Sequence, residues 1–337
     1  MPPVVSIIVP TLNSAGVLAR CLEAIRAQDF DEPTELIIAD GGSSDQTRDI
    51  AARFGANQIL DNPRRTGEAA KAVGLARATG EFVAFIDSDN FLVGTDWLRR
   101  MIAPFRQDRQ LILTEPLYFH WNRSDPPIIR YCALMGINDP LCFYCGNFDR
   151  HNHATGRWTG LDVPATDRGD WLAVELHPGG RIPTLGANGT IYRHSALRKL
   201  PASDYFFDVD IPRQLAASQP RLAAKVKCGI LHWYCPKYGD FIRKQRRRIR
   251  DYYAFSQRRI GADFAGSYSK RGLVAFVAST CLVFPALWTS LRGFFRKPDP
   301  AWFLHWPLCL TTLWIYGTGV LFRPRQGRRG STTDGHG

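Results

Sequence analysis

The sequence has too few acidic residues for its basic ones: 31 Asp and Glu against 43 Lys and Arg in 337 residues, a formal charge of +12. That balance favours anionic partners, which include nucleic acid, phosphorylated ligands and an acidic membrane surface. The stretch Pro10-Thr11-Leu12-Asn13-Ser14-Ala15-Gly16 stands where a dinucleotide fold would carry Gly-x-Gly-x-x-Gly, and no Gly-x-x-x-x-Gly-Lys-Ser/Thr loop occurs anywhere. NAD-binding and P-loop readings therefore fail on their own motifs. No ordered basic, apolar and small-residue run follows Met1-Pro2-Pro3, so no secretory leader is expected. The eight cysteines are scattered, which makes reduced thiols the expected state. Cys142-x-x-Cys145 with His151 and His153 offers four zinc ligands, but the spacing is not that of a finger. No internal repeat is visible. Apolar residues at 45% and aromatics at 12% suffice for a sizeable core.

What is present begins with alternation. Residues 4–12 (VVSIIVPTL) are rich in β-branched side chains, and Pro10 closes them as a strand. Val17, Leu18, Cys21, Leu22 and Ile25 share one helical face within 14–28. ELIIAD (35–40) reads as a second strand, and Ser43 three residues before Gln46 predicts a capping box and a helix to about Phe54. Ile59-Leu60 marks a short third strand, a helix covers 67–78, and EFVAFID (81–87) is a fourth strand. Single helices between strands imply right-handed crossovers. The expected fold class is α/β, with a mainly parallel sheet flanked by helices. In such sheets ligands collect beyond the carboxyl ends of the strands. Thr11, Asn13, Asp40 and the triplet Asp87-Ser88-Asp89 stand there.

Asp87 and Asp89 face the same way if extended geometry continues past the fourth strand. Paired carboxylates repel unless a cation or proton lies between them. Mg²⁺ and Mn²⁺ take oxygen donors, commonly one or two carboxylates plus phosphate oxygens. The pair therefore reads as a metal–diphosphate clamp, against the plainer alternative of an exposed acidic turn.

The ordered set VSIIVPTLN, CLEAIRAQ, ELIIADGGSSDQT and GLARATGEFVAFIDSDN resembles the family 2 glycosyltransferases of the GT-A fold over about the first hundred residues. The resemblance implies a nucleotide-sugar donor, a divalent cation (Mg or Mn) and inverting displacement at the anomeric carbon. It places the nucleotide against Pro10, Thr11, Asn13 and Asp40, and the metal and diphosphate at Asp87 and Asp89. Where many members carry Arg-Asn, this chain has Lys71-Ala72-Val73-Gly74, and Lys71 supplies the positive charge. An inverting transfer needs a base on the acceptor side. The segment 185–215 resembles the family region that ends in its Glu-Asp base motif. That puts Asp208 on the catalytic aspartate, Phe207 on the preceding Glu, and leaves Asp210 as the alternate base. Gly186 and Asn188 resemble the turn lining the acceptor pocket, and His232 a late histidine near metal or diphosphate. Gln245-Arg246-Arg247-Arg248-Ile249 is similar to the Gln-x-x-Arg-Trp motif of processive synthases, with Arg247 or Arg248 meeting phosphate.

RKQRRRIR (243–250) holds six positive residues in eight, yet no nucleic-acid fold surrounds it, so nucleic acid is not expected as partner. Residues 272–291 carry no charge, and twenty helical residues span about 30 Å, a bilayer core. Residues 301–322 contain no Asp, Glu, Lys or Arg and a single histidine, His305. Arg258, Arg259, Lys270 and Arg271 before the first segment, with Arg323, Arg325, Arg328 and Arg329 after the second, outweigh Arg292, Arg296 and Lys297 between them. This predicts a hairpin with both ends cytoplasmic; Pro285 and Pro307 also permit a re-entrant or interfacial pair. The expected organisation is a catalytic domain over 1–235 (nucleotide-sugar half 1–115, acceptor half 116–235), a basic segment 236–271, a membrane hairpin 272–322 and a polar tail 323–337. The expected activity is metal-dependent transfer from a nucleoside-diphosphate sugar to a lipid-linked or glycan acceptor at a membrane. A polyprenyl-phosphate sugar synthase, or an inactive membrane-tethered scaffold, are the alternatives.

Overall fold

Val5–Thr11 is buried at every position, as a parallel strand covered on both faces requires, and its β-branched residues suit that pleated setting. This is strand β1 in a computed structural model that describes residues 2–255 and 269–321. The others are β2 (Thr34–Asp40), β3 (Gln58–Asp61), β4 (Phe82–Phe85), β5 (Asn90–Leu92), β6 (Leu111–Phe119), β7 (Ala165–Asp167), β8 (Trp171–Leu176), β9 (Thr190–Arg193) and β10 (Arg221–His232). They form one sheet in the order β3-β2-β1-β4-β9-β6-β10-β8-β7, with β5 beside β10. From β3 to β4 every pairing is parallel, whereas β9 joins β4 and β6 antiparallel. Strand β9 thus stitches the two halves of the chain into one sheet. Strand order reverses beside β1, between β2 and β4, which opens a crevice at their carboxyl ends.

The helix Ala15–Arg26 turns Leu18, Cys21, Leu22 and Ile25 inward, on the face that the sequence periodicity marks. The helix Gly67–Leu75 lies so close over β1 that a Cβ on Gly74 would overlap the Ile8 side chain. Glycine at this position lets the helix bring Lys71 down to the sheet edge.

Three expectations change. The capping box at Ser43 does not form: the helix begins at Thr47, because Ser43 is engaged by Asp40 and by the Asn13 amide instead. Strand geometry does not continue through Asp87 and Asp89 either. β4 ends at Phe85, and the Asn90 amide donates to the Asp87 carbonyl at 2.8 Å, so the aspartates sit on a turn. The expected straight span over 272–291 is broken. Lys270–Leu282 and Phe284–Arg296 meet at 93° around Val283, whose φ of 64° is costly for a β-branched residue, and Pro285 lies in the first turn of the second helix. Among the described residues no single helix is long and apolar enough to cross a membrane.

After the turn Pro300–Leu304, the helix His305–Leu321 covers most of the second expected span. These C-terminal helices share a core with earlier parts of the chain: Trp302 and Leu308 pack with Ile128, Tyr131 and Phe241. Arg258, Arg259 and the tail 323–337 lie outside the described residues.

Candidate functional site

At the carboxyl ends of β1 and β2, Pro10 pairs with Ala39 and Thr11 with Asp40. Asp40 is wholly buried. Its carboxylate accepts from the Thr11 hydroxyl at 2.9 Å, the Ser43 hydroxyl at 2.5 Å and amide at 2.9 Å, and the Gly42 amide at 3.1 Å. Burial works against its charge, yet these donors and Arg48 outweigh it and hold the carboxyl below the usual carboxylate range. Asp40 therefore fixes the loop 41–44 over the crevice. Asn13, in a left-handed conformation (φ 49°), accepts from the Ser44 amide at 2.9 Å and ties the β1 end to that loop.

The centre of the site is a charge relay across the two halves of the chain. Lys71 Nζ lies 3.0 Å from Asp87 and 2.6 Å from Asp208, and its side chain is 5% exposed. Burial and the neighbouring Asp87 charge raise the Asp208 carboxyl to about 7, with Lys71 pulling the other way. Asp208 Oδ2 accepts from Lys71, whereas its buried Oδ1 has no hydrogen-bond partner. Asp210 is buried just before the helix Ile211–Leu215, where Pro212 occupies the first turn. Gly186 presses on the Asp208 backbone: its φ is 106°, and a Cβ there would overlap the Asp208 carbonyl oxygen. With Asp208 as the expected base, Gly186→Ala is expected to lower turnover by about a hundredfold while donor binding holds, because displacement of such a group by about 1 Å costs that much. Steady-state kinetics beside nucleotide titration checks it.

Asp89 faces a second set of groups. Its Oδ1 lies 3.6 Å from His232 Nε2 and accepts from the Asn90 side-chain Nδ2 at 3.0 Å; its Oδ2 lies 3.3 Å from Lys244 Nζ. Burial opposes ionisation, but His232 and Lys244 overcome it and hold Asp89 far below the usual carboxylate range. His232 Nδ1 is buried without a hydrogen-bond partner. Asp89 and His232 supply oxygen and nitrogen donors of the kind Mg²⁺ and Mn²⁺ take together with diphosphate oxygens, while Asp87 is engaged by Lys71. Among the described residues no three His, Cys, Asp or Glu side chains are gathered as a ready cage. The possible zinc set is also dispersed: Cys145 packs with Phe276 and Cys309, while His151 and His153 stand against Tyr118 and Trp121.

The basic run is placed differently from its motif reading. Arg247 is 64% exposed and pairs with Asp251, and Arg248 pairs with the buried Asp139 at 2.9 Å. Lys244 is the member of the run that meets Asp89, a role the sequence comparison did not pick out. Its neighbourhood with Asp89 depends on a helix packed 155 residues away along the chain.

Sequence reasoning also missed the support beneath the turn at Gly186 and Asn188. Glu115 on β6 pairs with Lys225, opposite it in register on β10, and with Arg150 at 3.2 Å. All three are buried. Glu115 accepts from the Gly186 amide at 3.0 Å, and Arg150 donates to the carbonyls of Ala187 and Asn188 at 2.7 Å each. The turn 186–189, with Asn188 at φ 56°, is thereby clamped from below. Asn188 Oδ1 also accepts from the Asn90 side-chain Nδ2 at 3.4 Å, joining the turn to the aspartate loop. The readable signal was a lone glutamate inside the apolar run LILTEPLYF and two lysines, Lys225 and Lys227, inside LAAKVKCGIL.

A strand-order reversal flanked by these carboxylates defines a GT-A-like α/β fold. A mannosyltransferase from Pyrobaculum calidifontis, solved in complex with GDP-Man and Mn²⁺, shares it with a TM-score of 0.51 over 96% of this chain and 89% of that one, at 17% identity. Residues 6–130 match the family model of Glycosyl transferase family 2. A PGL/p-HBAD biosynthesis glycosyltransferase from Mycobacterium bovis is 41% identical over 109 residues, 30% of this chain and 41% of the relative. A GalNAc(5)-diNAcBac-PP-undecaprenol beta-1,3-glucosyltransferase from Campylobacter jejuni is 33% identical over 97 residues, 27% of this chain and 31% of the relative. The matched part is thus less than half the length of these curated relatives.

Proposed function

We propose that the protein is a metal-dependent, inverting glycosyltransferase that moves a sugar from a nucleoside-diphosphate donor to a lipid-linked or glycan acceptor at a membrane. The observation that carries this is the Asp87–Lys71–Asp208 relay, which joins the donor side of the crevice to a carboxylate with one unpartnered oxygen. Asp89 and His232, with Asp87, would hold the divalent cation, which when bound offsets charge on the departing diphosphate. The loop ordered by Asp40 and Asn13 receives the nucleoside, and the turn at Gly186 and Asn188 borders the acceptor.

Asp208 Oδ1 takes the acceptor hydroxyl proton as that oxygen bonds to the anomeric carbon from the face opposite the diphosphate. The bond from the anomeric carbon to the diphosphate oxygen breaks, and the diphosphate leaves with the electron pair. Lys71 keeps Asp208 oriented and limits repulsion between it and Asp87. Burial of Asp208 is what gives it basicity near neutral pH.

Membrane association is supported by an exposed apolar face on the bent helix pair, where Val274, Leu282, Phe284, Trp288 and Phe295 are all exposed. Such a face, flanked by Arg271, Arg292 and Arg296, suits insertion into the headgroup and acyl boundary of an anionic bilayer. The charge bias in the sequence favours a cytoplasmic catalytic domain. Cosedimentation with anionic vesicles is expected for the full chain and is expected to be lost in the double variant Phe284→Asp/Trp288→Asp.

A panel of UDP-, GDP- and dTDP-sugars, assayed on membranes containing the protein with and without Mn²⁺, tests the activity. Divalent-dependent donor consumption that disappears in Asp89→Ala is the expected result. Absence of turnover with every donor, in the presence of a folded protein, would instead favour a scaffold of the same fold.

A further inference from the structure

We propose that Lys244 binds the donor diphosphate and that Tyr316, on the C-terminal helix, is the positioning residue that holds it at the site. The proposal rests on the nucleoside-diphosphate reading above. It extends that reading to two residues outside the matched domain, and it gives the C-terminal helices a part in donor binding as well as in membrane attachment.

The contact to Asp89 is the starting point. Lys244 Nζ lies 3.3 Å from Asp89 Oδ2 and 4.3 Å from the centre of the Tyr234 ring, with its side chain 30% exposed. An ammonium has three donors and no acceptor. The Asp89 carboxylate and the ring face engage one side of it, and its exposed side is available to phosphate oxygens. If a cation-bound diphosphate occupies Asp89, the ammonium exchanges a carboxylate for phosphate oxygens at the same place.

Neighbours on the same helix, Tyr238–Phe255, explain why Lys244 stays there. Gln245 is buried and donates to the Asn138 carbonyl at 3.2 Å. Arg248, one turn on, pairs with Asp139. The Tyr316 hydroxyl lies 2.6 Å from Asp139 Oδ2 and 2.7 Å from Gln245 Oε1, so it joins the loop 138–139, the basic helix and the C-terminal helix at one point. Close packing supports the junction: a Cβ on Gly319 would stand 2.9 Å from the Ile249 side chain. The residues resembling Gln-x-x-Arg thus serve as a latch, and Lys244 beside them is the group presented to the crevice.

The test uses the full-length protein and titrates UDP, GDP and inorganic pyrophosphate, each with saturating Mn²⁺, by calorimetry. Lys244→Ala is expected to weaken binding of the diphosphates about tenfold or more, the loss of a charge-assisted contact. Lys244→Arg is expected to restore most of it, and Arg243→Ala, whose partner is the exposed salt bridge to Asp240, to change nothing. Tyr316→Phe is expected to weaken binding severalfold with an unchanged melting temperature. Added to Lys244→Ala, it is expected to have no further effect, as coupling through one residue requires. If wild type binds a diphosphate and Lys244→Ala binds it equally well, the proposal for Lys244 is overturned. If Tyr316→Phe weakens binding equally in the presence and absence of Lys244, the positioning role is overturned. If wild type binds none of the three probes, the nucleoside-diphosphate reading itself fails, and the proposal falls with it.

Discussion

Asp208→Asn is expected to lower kcat by about a thousandfold while leaving donor affinity within about twofold, the effect of removing a general base that does not hold the donor. The expectation comes from an asymmetry at the carboxylate. One oxygen is fixed by Lys71 at 2.6 Å and the other is buried without a partner. Asparagine preserves the shape but cannot accept the acceptor proton. The pH profile supplies a second readout. A carboxyl raised to about 7 is protonated and inactive as a base below that value, and becomes competent as pH rises through it. In wild type, kcat/KM is therefore expected to climb with pH and level off above neutrality. Asp208→Asn is expected to lose this limb. A wild-type rate independent of pH between 5 and 8 would remove Asp208 from the base role. The same profile for Asp210→Asn, with the limb intact, separates the two aspartates.

The second large effect concerns folding. Glu115→Leu leaves Arg150 and Lys225 buried without their shared carboxylate, and the Gly186 amide loses its acceptor. Breaking a buried ion pair from one side costs about 3–5 kcal/mol, because the remaining charge stays desolvated. Denaturant titration is expected to show a loss of that order for Glu115→Leu and a smaller one for Glu115→Gln, which keeps an oxygen for the Gly186 amide. The same argument connects stability to chemistry, since the turn clamped by Glu115 and Arg150 presses against Asp208. Variants that survive the loss of stability are expected to show reduced kcat. An unaltered melting transition in Glu115→Leu would mean that the two cations find other partners.

The donor half was open to sequence reading because its signals are local. A run of β-branched residues closed by a polar strand end specifies a buried parallel strand and the crevice beyond it. Thr11, Asp40 and the triplet 87–89 could therefore be placed at strand ends before any contact was known, although the triplet sits on a turn and not in extended geometry. Local signals were also where the reading overreached. Ser43 and Gln46 satisfy a capping pattern, but Asp40, three residues earlier, competes for Ser43 and wins because it is buried and needs donors. The uncharged run 272–291 has the length of a span, yet Val283 and Pro285 bend it by 93°.

By itself the sequence determined the α/β alternation, the strand ends that carry the carboxylates and the likeness of residues 6–130 to Glycosyl transferase family 2. Tertiary structure alone decided which charges meet: Lys71 with Asp208, Lys244 with Asp89, and Glu115 with Lys225. The reason is physical. Strand and helix periodicity fixes the direction of a side chain relative to its own element, whereas the free energy of a buried ion pair depends on partners more than a hundred residues away that only the packed sheet brings within reach.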